Sequence, residues 1–206
     1  MNFDVITVSL KKAADVLMAN IVAYLVGAII AGFGSLLLVT SAPFMYGLCY
    51  MVLKGTRGET VEINDVFYGF SGGRFIRSWI GVLGTALPFI VISLVVGILF
   101  LLLTVVLKGV GAALGVLLLI LAFILCFVLA IFVCYAFYIF VMTPSGKIVD
   151  ALKESIRISK ANLVMTIITL IVAGICGIIP FVGGVLGQIF FVYMFKEIEP
   201  SIRDQS

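Results

Sequence analysis

The sequence contains no histidine, and only 11% of its 206 residues are charged. The missing histidine bears on one motif: residues 69–73 read GFSGG, which fits the G-x-S-x-G pattern of a serine nucleophile elbow. That chemistry needs a strand before the serine and a histidine base elsewhere in the chain. Since the sequence offers neither, we interpret this stretch as a glycine-rich break between structural elements.

The shortage of charge accompanies a hydrophobic content of 64%. An ordinary soluble domain is nearer half apolar and a quarter charged, so a water-soluble fold of this size could not hide so many apolar side chains. We therefore predict an integral membrane protein. The net charge of +3 comes without a dense basic patch, which argues against a nucleic-acid partner.

Cysteines are few and isolated. The four of them lie inside apolar runs, and no two have the C-x-x-C spacing of metal ligands. The simplest interpretation is that they fill space between helices. We predict no metal, no cofactor and no enzymatic activity.

Long apolar runs dominate the remainder of the chain. A helix needs about 20 apolar residues to cross the hydrocarbon, and backbone groups in lipid must bond within the helix. Six runs qualify, so we predict an all-α membrane protein with six transmembrane helices. The third and fourth runs form a long central hairpin. The six lie at about 16–33, 35–53, 76–106, 113–142, 160–177 and 180–196.

The basic residues indicate an orientation. With six crossings, Lys108 is the only one of thirteen lysines and arginines on the far side. Because lysine and arginine accumulate on the cytoplasmic side, we predict a multi-pass protein of the plasma membrane with both termini in the cytoplasm. The other twelve are Lys11, Lys12, Lys54, Arg57, Arg74, Arg77, Lys147, Lys153, Arg157, Lys160, Lys196 and Arg203.

One charged phrase occurs twice. Residues 9–20 read SLKKAADVLMAN, and residues 151–162, which lie 142 positions later, read ALKESIRISKAN. The alignment continues without a gap from 9–54 to 151–196. It predicts a parallel duplication within a single membrane domain, 1–206. The first repeat, 9–54, precedes an interfacial segment and the central hairpin, 55–146. The second unit, 147–196, precedes a cytoplasmic tail, 197–206.

Each copy of the phrase has the spacing of an amphipathic helix on the cytoplasmic side of the membrane. We predict that its basic side chains contact lipid headgroups: Lys11, Lys12, Lys153, Arg157 and Lys160. Residues 62–70, EINDVFYGF, predict a third short helix with Asn64 or Asp65 as its cap. We expect three neutral polar residues within or beside the spans either to line a pore or to form hydrogen bonds between helices: Gln188, Asn20 and Asn162.

Two stretches carry a resemblance. Residues 65–70, DVFYGF, precede the central hairpin, and residues 150–155, DALKES, precede the last one together with Asn162. They resemble a loose group of six-span bacterial and archaeal membrane proteins of unknown function. That group is similar to the membrane domain attached to some glycerophosphodiester phosphodiesterases. The resemblance implies the architecture and a contact with phospholipid headgroups, but no phosphodiesterase activity, because the chain lacks that domain.

Three functions remain open from the sequence. The first is a non-enzymatic scaffold that organises lipids, partner membrane proteins or further copies of the chain. The second is a passive channel or a transporter of lipids or small molecules, with its pore between repeats or subunits. The third is a membrane-embedded lipid enzyme, which would require Asp65, Arg74, Asp150 and Arg157 to converge in space. The absence of ionisable residues inside the predicted spans argues against ion-coupled pumping.

Overall fold

The structure, a computed structural model, describes residues 4–143 and 145–198, without the side chains of residues 108 and 109. Most of the predicted cytoplasmic tail, including Arg203, lies outside the described residues, as does the side chain of Lys108. Within these ranges all regular structure is helical. The elements are α1 (Asp4–Ala19), α2 (Ile21–Gly34), α3 (Leu38–Thr56), a 3-10 helix (Ile63–Phe70), α4 (Arg74–Val133), α5 (Ala136–Met142), α6 (Ile148–Ala161), α7 (Leu163–Cys176) and α8 (Val182–Ile198).

The central hairpin is the longest feature of the molecule. Its first arm is the first part of α4, Arg74–Leu107, and its second arm, Val110–Met142, consists of the remainder of α4 followed by α5. The arms are 34 and 33 residues long, and both are apolar enough to cross a membrane. The close approach of Gly115 and Phe100 shows that the chain reverses between the arms: a Cβ placed on Gly115 would lie 2.7 Å from the ring of Phe100. At 1.5 Å per residue each arm is about 50 Å long, well beyond the thickness of the hydrocarbon.

Most of this hairpin stands apart from the other helices. The arm residues that line a groove with α3 and α7 belong to two short stretches, Val82 to Phe89 and Ala130 to Phe137. Between residues 90 and 128 most side chains are exposed, and nearly all of them are leucine, isoleucine, valine or phenylalanine. This part is apolar on all sides, which is typical of a helix pair that lipid surrounds.

The outer helices form two shorter hairpins, α2–α3 and α7–α8. A sharp bend precedes each of them: α1 and α2 meet at 86°, and α6 and α7 meet at 105°. By length and apolarity, two helices within residues 4–143 and 145–198 can cross a membrane, or up to four if each bent pair counts as one span. The prediction of an all-helical chain with a long central hairpin is therefore confirmed, and the candidate spans agree with a membrane protein, whereas the count of six crossings stays a prediction.

The packed core lies at the end of the molecule where the central hairpin begins and ends, which we call the base. There α1 packs on α8, the 3-10 helix packs on α2 and α3, and α6 packs on α4 and α5. Tyr24, Met51 and Val66 are fully buried among these elements, and the hydroxyl of Tyr24 donates to the carbonyl of Met51 at 3.2 Å. The helices of the base thus hold both outer hairpins against the start of the central one.

The short helix predicted at 62–70 is present as the 3-10 helix. Its N-terminus is closed by a capping box rather than by Asn64: the carboxylate of Asp65 accepts a hydrogen bond from the backbone N–H of Glu62 at 2.8 Å. Its apolar face is partly buried, and the ring of Phe70 meets that of Phe44 in α3 edge to face. The segment therefore packs as part of the base.

Candidate functional site: the charged base

Helix α6 carries most of the residues that the sequence predicts to contact lipid. Ala151, Ser155 and Ile158 are buried against the central hairpin, whereas Lys153 and Lys160 are exposed on the opposite face. Arg157 is also exposed and donates to the carboxylate of Glu154, with 3.0 Å between Nε and Oε2.

The helix therefore presents one packed face and one cationic face. The hydrogen bond from Arg157 lowers the pKa of Glu154. Because this carboxylate stays ionised, it offsets part of the positive charge of the cationic face. Lys153 and Lys160 supply most of the remaining charge.

Helix α1 resembles α6 in its distribution of side chains but packs on a different partner. Ser9, Ala13 and Leu17 are buried, and α1 lies on α8. Lys11 and Lys12 are exposed, and the Nζ of Lys12 lies 3.9 Å from a carboxylate oxygen of Glu197. At this distance and exposure the pair contributes little to stability, so both lysines remain available to another anion.

Two of the three predicted polar residues lie at the bends. The side-chain amide of Asn20 donates to the carbonyl of Val16 at 3.3 Å, and its oxygen accepts the N–H of Val61 at 3.3 Å. The amide of Asn162 donates to the carbonyl of Ile158 at 3.5 Å. These bonds pair backbone groups at the points where α1 meets α2 and α6 meets α7, so both asparagines support the bends.

Gln188 lies elsewhere, on α8. It is half-buried in a groove of about 240 Å³ that α7, α8 and the second arm of the central hairpin form. Tyr138 and Leu170 line the same groove. Asn20, by contrast, borders a separate groove of about 630 Å³ with Val61 and Glu62. The structure therefore does not bring Gln188 and Asn20 together in one cavity.

An ion pair that the sequence analysis missed joins α3 to the 3-10 helix. The Nζ of Lys54 lies 2.8 Å and 3.1 Å from the two carboxylate oxygens of Asp65, and both side chains are mostly buried. The hydrogen bond to Asp65 raises the pKa of Lys54, although burial acts in the opposite direction. In the repeat alignment Lys54 is the last residue of the first unit, which we call a closing lysine, and nothing in its spacing indicates an inward orientation.

The lysine at the corresponding position of the second unit is also buried. Lys196 donates from Nζ to the backbone carbonyl of Thr56 at 3.1 Å and is 8% exposed. The bond joins the end of α8 to the end of α3. Both closing lysines therefore connect helices of the base, and neither is placed to contact lipid.

Arg77 closes the base of the central hairpin. Its guanidinium donates to three backbone carbonyls at the end of the second arm, those of Phe140 at 2.8 Å, Thr143 at 2.6 Å and Gly146 at 3.2 Å. The same group lies over the ring of Phe140 at 4.0 Å. The planar fork of donors suits several acceptors at once, so Arg77 caps the last turn of α5 and holds the arms together.

A buried serine of α6 bridges the break between α4 and α5. The hydroxyl of Ser155 donates to the carbonyl of Phe132 at 2.8 Å and accepts the N–H of Tyr135 at 3.2 Å. Both groups flank the point where the second arm is interrupted. A side chain inserted into the hydrogen-bond ladder is a recognised cause of such breaks.

We predict that Ser155→Ala lowers the free energy of unfolding by about 2 kcal/mol, because it leaves the N–H of Tyr135 buried without its acceptor. SDS-induced unfolding in mixed micelles, followed by far-UV circular dichroism, measures the change. Ser78→Ala is the matched control, since Ser78 is equally buried but donates within its own helix, to Phe75 at 2.6 Å. Equal losses in the two variants would contradict a bridging role.

The four residues that a lipid enzyme would need do not share a single set of contacts. Asp65 pairs with Lys54, Arg157 pairs with Glu154, and the guanidinium of Arg74 lies 3.8 Å from the centre of the Tyr68 ring. Asp150 lines a groove of about 250 Å³ between α5 and α6. In the described part of the chain, no cluster of three or more histidines, cysteines or carboxylates could hold a metal ion.

Comparison with known proteins adds no relative. No known protein family matches the chain, and no curated protein or solved structure is significantly similar to it.

Proposed function

We propose that the protein is a non-enzymatic integral membrane protein that gathers anionic lipid at the cytoplasmic face of the plasma membrane. The lipid headgroups bind the exposed cationic face of α6, with Lys153, Arg157 and Lys160, and the exposed lysines of α1. Anionic membrane lipid is thus the proposed binding partner of α6 and α1.

One observation carries this proposal: the bend of about a right angle between each basic helix and the apolar helix that follows it, 86° at Asn20 and 105° at Asn162. A helix that enters the hydrocarbon along the membrane normal forces the helix before it to lie nearly in the membrane plane. Exposed lysines on an in-plane helix lie at the depth of the lipid phosphates.

Charge supports the orientation. The described basic residues other than Lys108 belong to α1, the end of α3, the start of α4, α6 with the turn before it, and the end of α8, which are all parts of the base. By the positive-inside rule the base faces the cytoplasm, and both ends of the chain lie there.

We also infer that the two outer units arose by parallel duplication. Supporting this, the first and last residues of α7 lie 142 positions after those of α2, and α8 ends 142 positions after α3. The hydrogen bond from the side-chain amide of Asn162 to the carbonyl of Ile158 repeats, 142 positions later, the hydrogen bond from Asn20 to the carbonyl of Val16. Two similar units explain why two in-plane helices are present.

Energy transfer from Trp79 tests the lipid preference, because this is the only tryptophan of the chain and it lies near the start of α4. The full protein is reconstituted into nanodiscs that contain trace dansyl-labelled phosphatidylglycerol or dansyl-labelled phosphatidylcholine. We predict stronger transfer to the anionic probe. The triple variant K153Q/R157Q/K160Q should abolish most of this preference, since each basic residue near an anionic surface contributes about 1 kcal/mol.

The charge-conserving variant K153R/R157K/K160R is the matched control and should keep the wild-type ratio. High salt should weaken the preference in the wild type, because the interaction is between exposed charges. Equal transfer to the two probes in the wild-type protein would overturn the proposed lipid binding, as would an unchanged ratio in the neutralised variant.

A further inference from the structure

We propose that two adjoining grooves beside the central hairpin form a binding site for one glycerolipid. An ester-linked acyl chain of the lipid occupies the first groove, and the side chains of Gln188 and Tyr138 bind its ester group in the second. The inference rests on the membrane placement proposed above. It does not rest on the binding of anionic headgroups to α6 and α1, because the grooves recognise the acyl ester and not the charge of the headgroup.

The first groove, which we call the tail groove, has a volume of about 360 Å³. It is bounded by residues 82–89 and 130–137 of the two central arms, by Met45 of α3 and by Leu170 of α7. Its volume falls within the range of about 300–1,000 Å³ that is usual for small-molecule sites. None of the described residues that line it is charged, so its occupant is an uncharged group.

The polar side chains of the tail groove are already paired. The hydroxyl of Thr85 donates to the carbonyl of Gly81 at 2.9 Å, and the thiol of Cys134 donates to the carbonyl of Ile131 at 3.2 Å. The other lining side chains are aliphatic, aromatic or those of alanine and methionine. A hydrocarbon chain suits this surface, because it brings no polar group that would be buried without a partner.

The second groove, which we call the ester groove, adjoins the first. It is the groove of about 240 Å³ that contains Gln188, and it shares Cys134 and Leu170 with the tail groove. From Cys134 it extends to Tyr138, toward the end of the second arm, and α8 forms its other wall. One elongated ligand can therefore contact both grooves.

Two hydrogen-bonding side chains of the ester groove are left without a protein partner. Within residues 4–143 and 145–198, neither the amide of Gln188 nor the hydroxyl of Tyr138 forms a hydrogen bond to another side chain or to the backbone. Both groups can donate, and no charged residue of the described chain lines the groove. An ester carbonyl is an uncharged acceptor, so it matches these two donors.

The order of the grooves matches the orientation of a lipid whose headgroup lies toward the base. The tail groove reaches to Phe89 and Ala130, which border residues 90–128, the mostly exposed stretch that we call the free part of the central hairpin. The ester groove lies nearer to the end of the second arm, at Tyr138. An acyl chain that starts in the ester groove therefore runs toward the part of the hairpin that lipid surrounds.

Gly184 lies on an open side of the ester groove. It lines the groove, and a Cβ placed on it would meet no atom within 4 Å. A larger side chain at this position therefore fills ligand space rather than displacing protein. Gly174 of α7 has equally open surroundings but lines neither groove. The two glycines provide a substitution that blocks the site and a matched control.

Lipid titration followed by native mass spectrometry tests the proposal. The full chain is purified in detergent, delipidated, and titrated with dioleoyl phosphatidylcholine or with the matching diether lipid, which lacks the ester carbonyls. Phosphatidylcholine is chosen because its headgroup has no net charge. We expect one diester lipid to bind before any others, with a dissociation constant about fivefold lower than that of the diether lipid, the effect of about one hydrogen bond.

Three variants of the full chain locate this binding step. Gly184→Leu should abolish it, and Gly174→Leu should leave it unchanged. Gln188→Leu should weaken the binding of the diester lipid about fivefold and remove its advantage over the diether lipid. Equal binding by Gly184→Leu and the wild type would overturn the proposal, as would equal affinities of the wild type for the two lipids.

Photo-crosslinking of the wild-type protein covers the case in which a variant does not fold. The protein is reconstituted into phosphatidylcholine nanodiscs with a trace of phosphatidylcholine that carries a diazirine in the middle of one acyl chain. We expect cross-links to residues 82–89 and 130–137 in addition to those along the free part of the hairpin. Cross-links confined to residues 90–128 would contradict an acyl chain in the tail groove.

The neutralised variant K153Q/R157Q/K160Q separates this proposal from the proposed function. It should bind phosphatidylcholine as the wild type does, because its substitutions lie outside both grooves. Loss of the anionic-lipid preference in the energy-transfer experiment would leave this result intact. A first bound lipid that is phosphatidylglycerol but never phosphatidylcholine would assign the binding to headgroup charge and overturn the ester contact.

Discussion

Gly47→Ala is expected to lower the free energy of unfolding by about 3 kcal/mol, at the upper end of the cost of overpacking. A Cβ at this position would overlap the backbone carbonyl of Val66, and it would lie 3.1 Å from the Cα of that residue. Because the obstacle is main chain, no rotamer change can relieve the overlap. The 3-10 helix would have to move away from α3.

This displacement would have a second consequence. Asp65 precedes Val66 and pairs with Lys54, so a shift of the 3-10 helix also weakens the ion pair between the two elements. The loss should therefore appear in SDS-induced unfolding as a lower midpoint with an unchanged transition slope.

Gly97→Ala is the matched control for this substitution. Gly97 lies in the free part of the first central arm, and a Cβ there would meet no atom within 4 Å. We expect its stability to equal that of the wild type or to rise slightly, because alanine favours helix more than glycine does. If both substitutions had the same effect, the close approach of α3 and the 3-10 helix would not be a determinant of stability.

The second large effect is expected from Asp65→Asn, which should cost about 2–3 kcal/mol. The side-chain exposures of Lys54 and Asp65 are 17% and 13%, so removal of one charge leaves the other poorly solvated. Asparagine keeps the size of the side chain and an oxygen for the N–H of Glu62. The measured loss therefore reports mainly on the pair with Lys54.

The pH dependence of this effect has a definite sign. The pKa of Lys54 is raised in the folded state. A raised lysine pKa means that the stabilisation is complete below the ordinary lysine pKa and is lost as the pH rises through the folded value. The cost of Asp65→Asn should consequently be the same at all pH values between about 6 and 9, where lysine is charged in both states.

A double-mutant cycle with Lys54→Met isolates the interaction. If the pair couples the two elements, the double variant should lose less stability than the sum of the single losses. Glu154→Gln is the control, because it removes a carboxylate from an exposed pair, for which we expect at most about 0.5 kcal/mol. Additive losses at Lys54 and Asp65 would contradict the coupling.

Several features of the fold could be predicted from the sequence because they depend on local patterns. The bends at Asn20 and Asn162 follow from a change between amphipathic and fully apolar helix within one or two residues. The central hairpin follows from two apolar runs long enough to stand alone.

The relative heights of the hairpins could not be predicted in this way. A run of 17 apolar residues looks the same whether it crosses a bilayer or turns back inside it. The relative heights depend on tertiary contacts such as the hydrogen bond between Trp79 and Val39, which join residues 40 positions apart.

The inward orientation of several charged side chains could not be predicted from the sequence either. Arg77 entered the sequence analysis only as one of twelve positive charges, since its three carbonyl acceptors lie 63–69 residues away. Lys54 and Lys196 likewise looked like the other lysines at helix ends. Burial of such side chains depends on which helices meet at the base, and no spacing rule reports that.

The unequal lengths of the three hairpins give the molecule a strong taper. Near the base the outer helices and the 3-10 helix pack on one another and on the central hairpin, whereas most side chains of that hairpin between residues 90 and 128 are exposed. A body of this form displaces more lipid area at one depth of a bilayer than at another. In a bilayer, the surrounding lipids would pack around it with least strain where the membrane surface is convex on the side of the broad end.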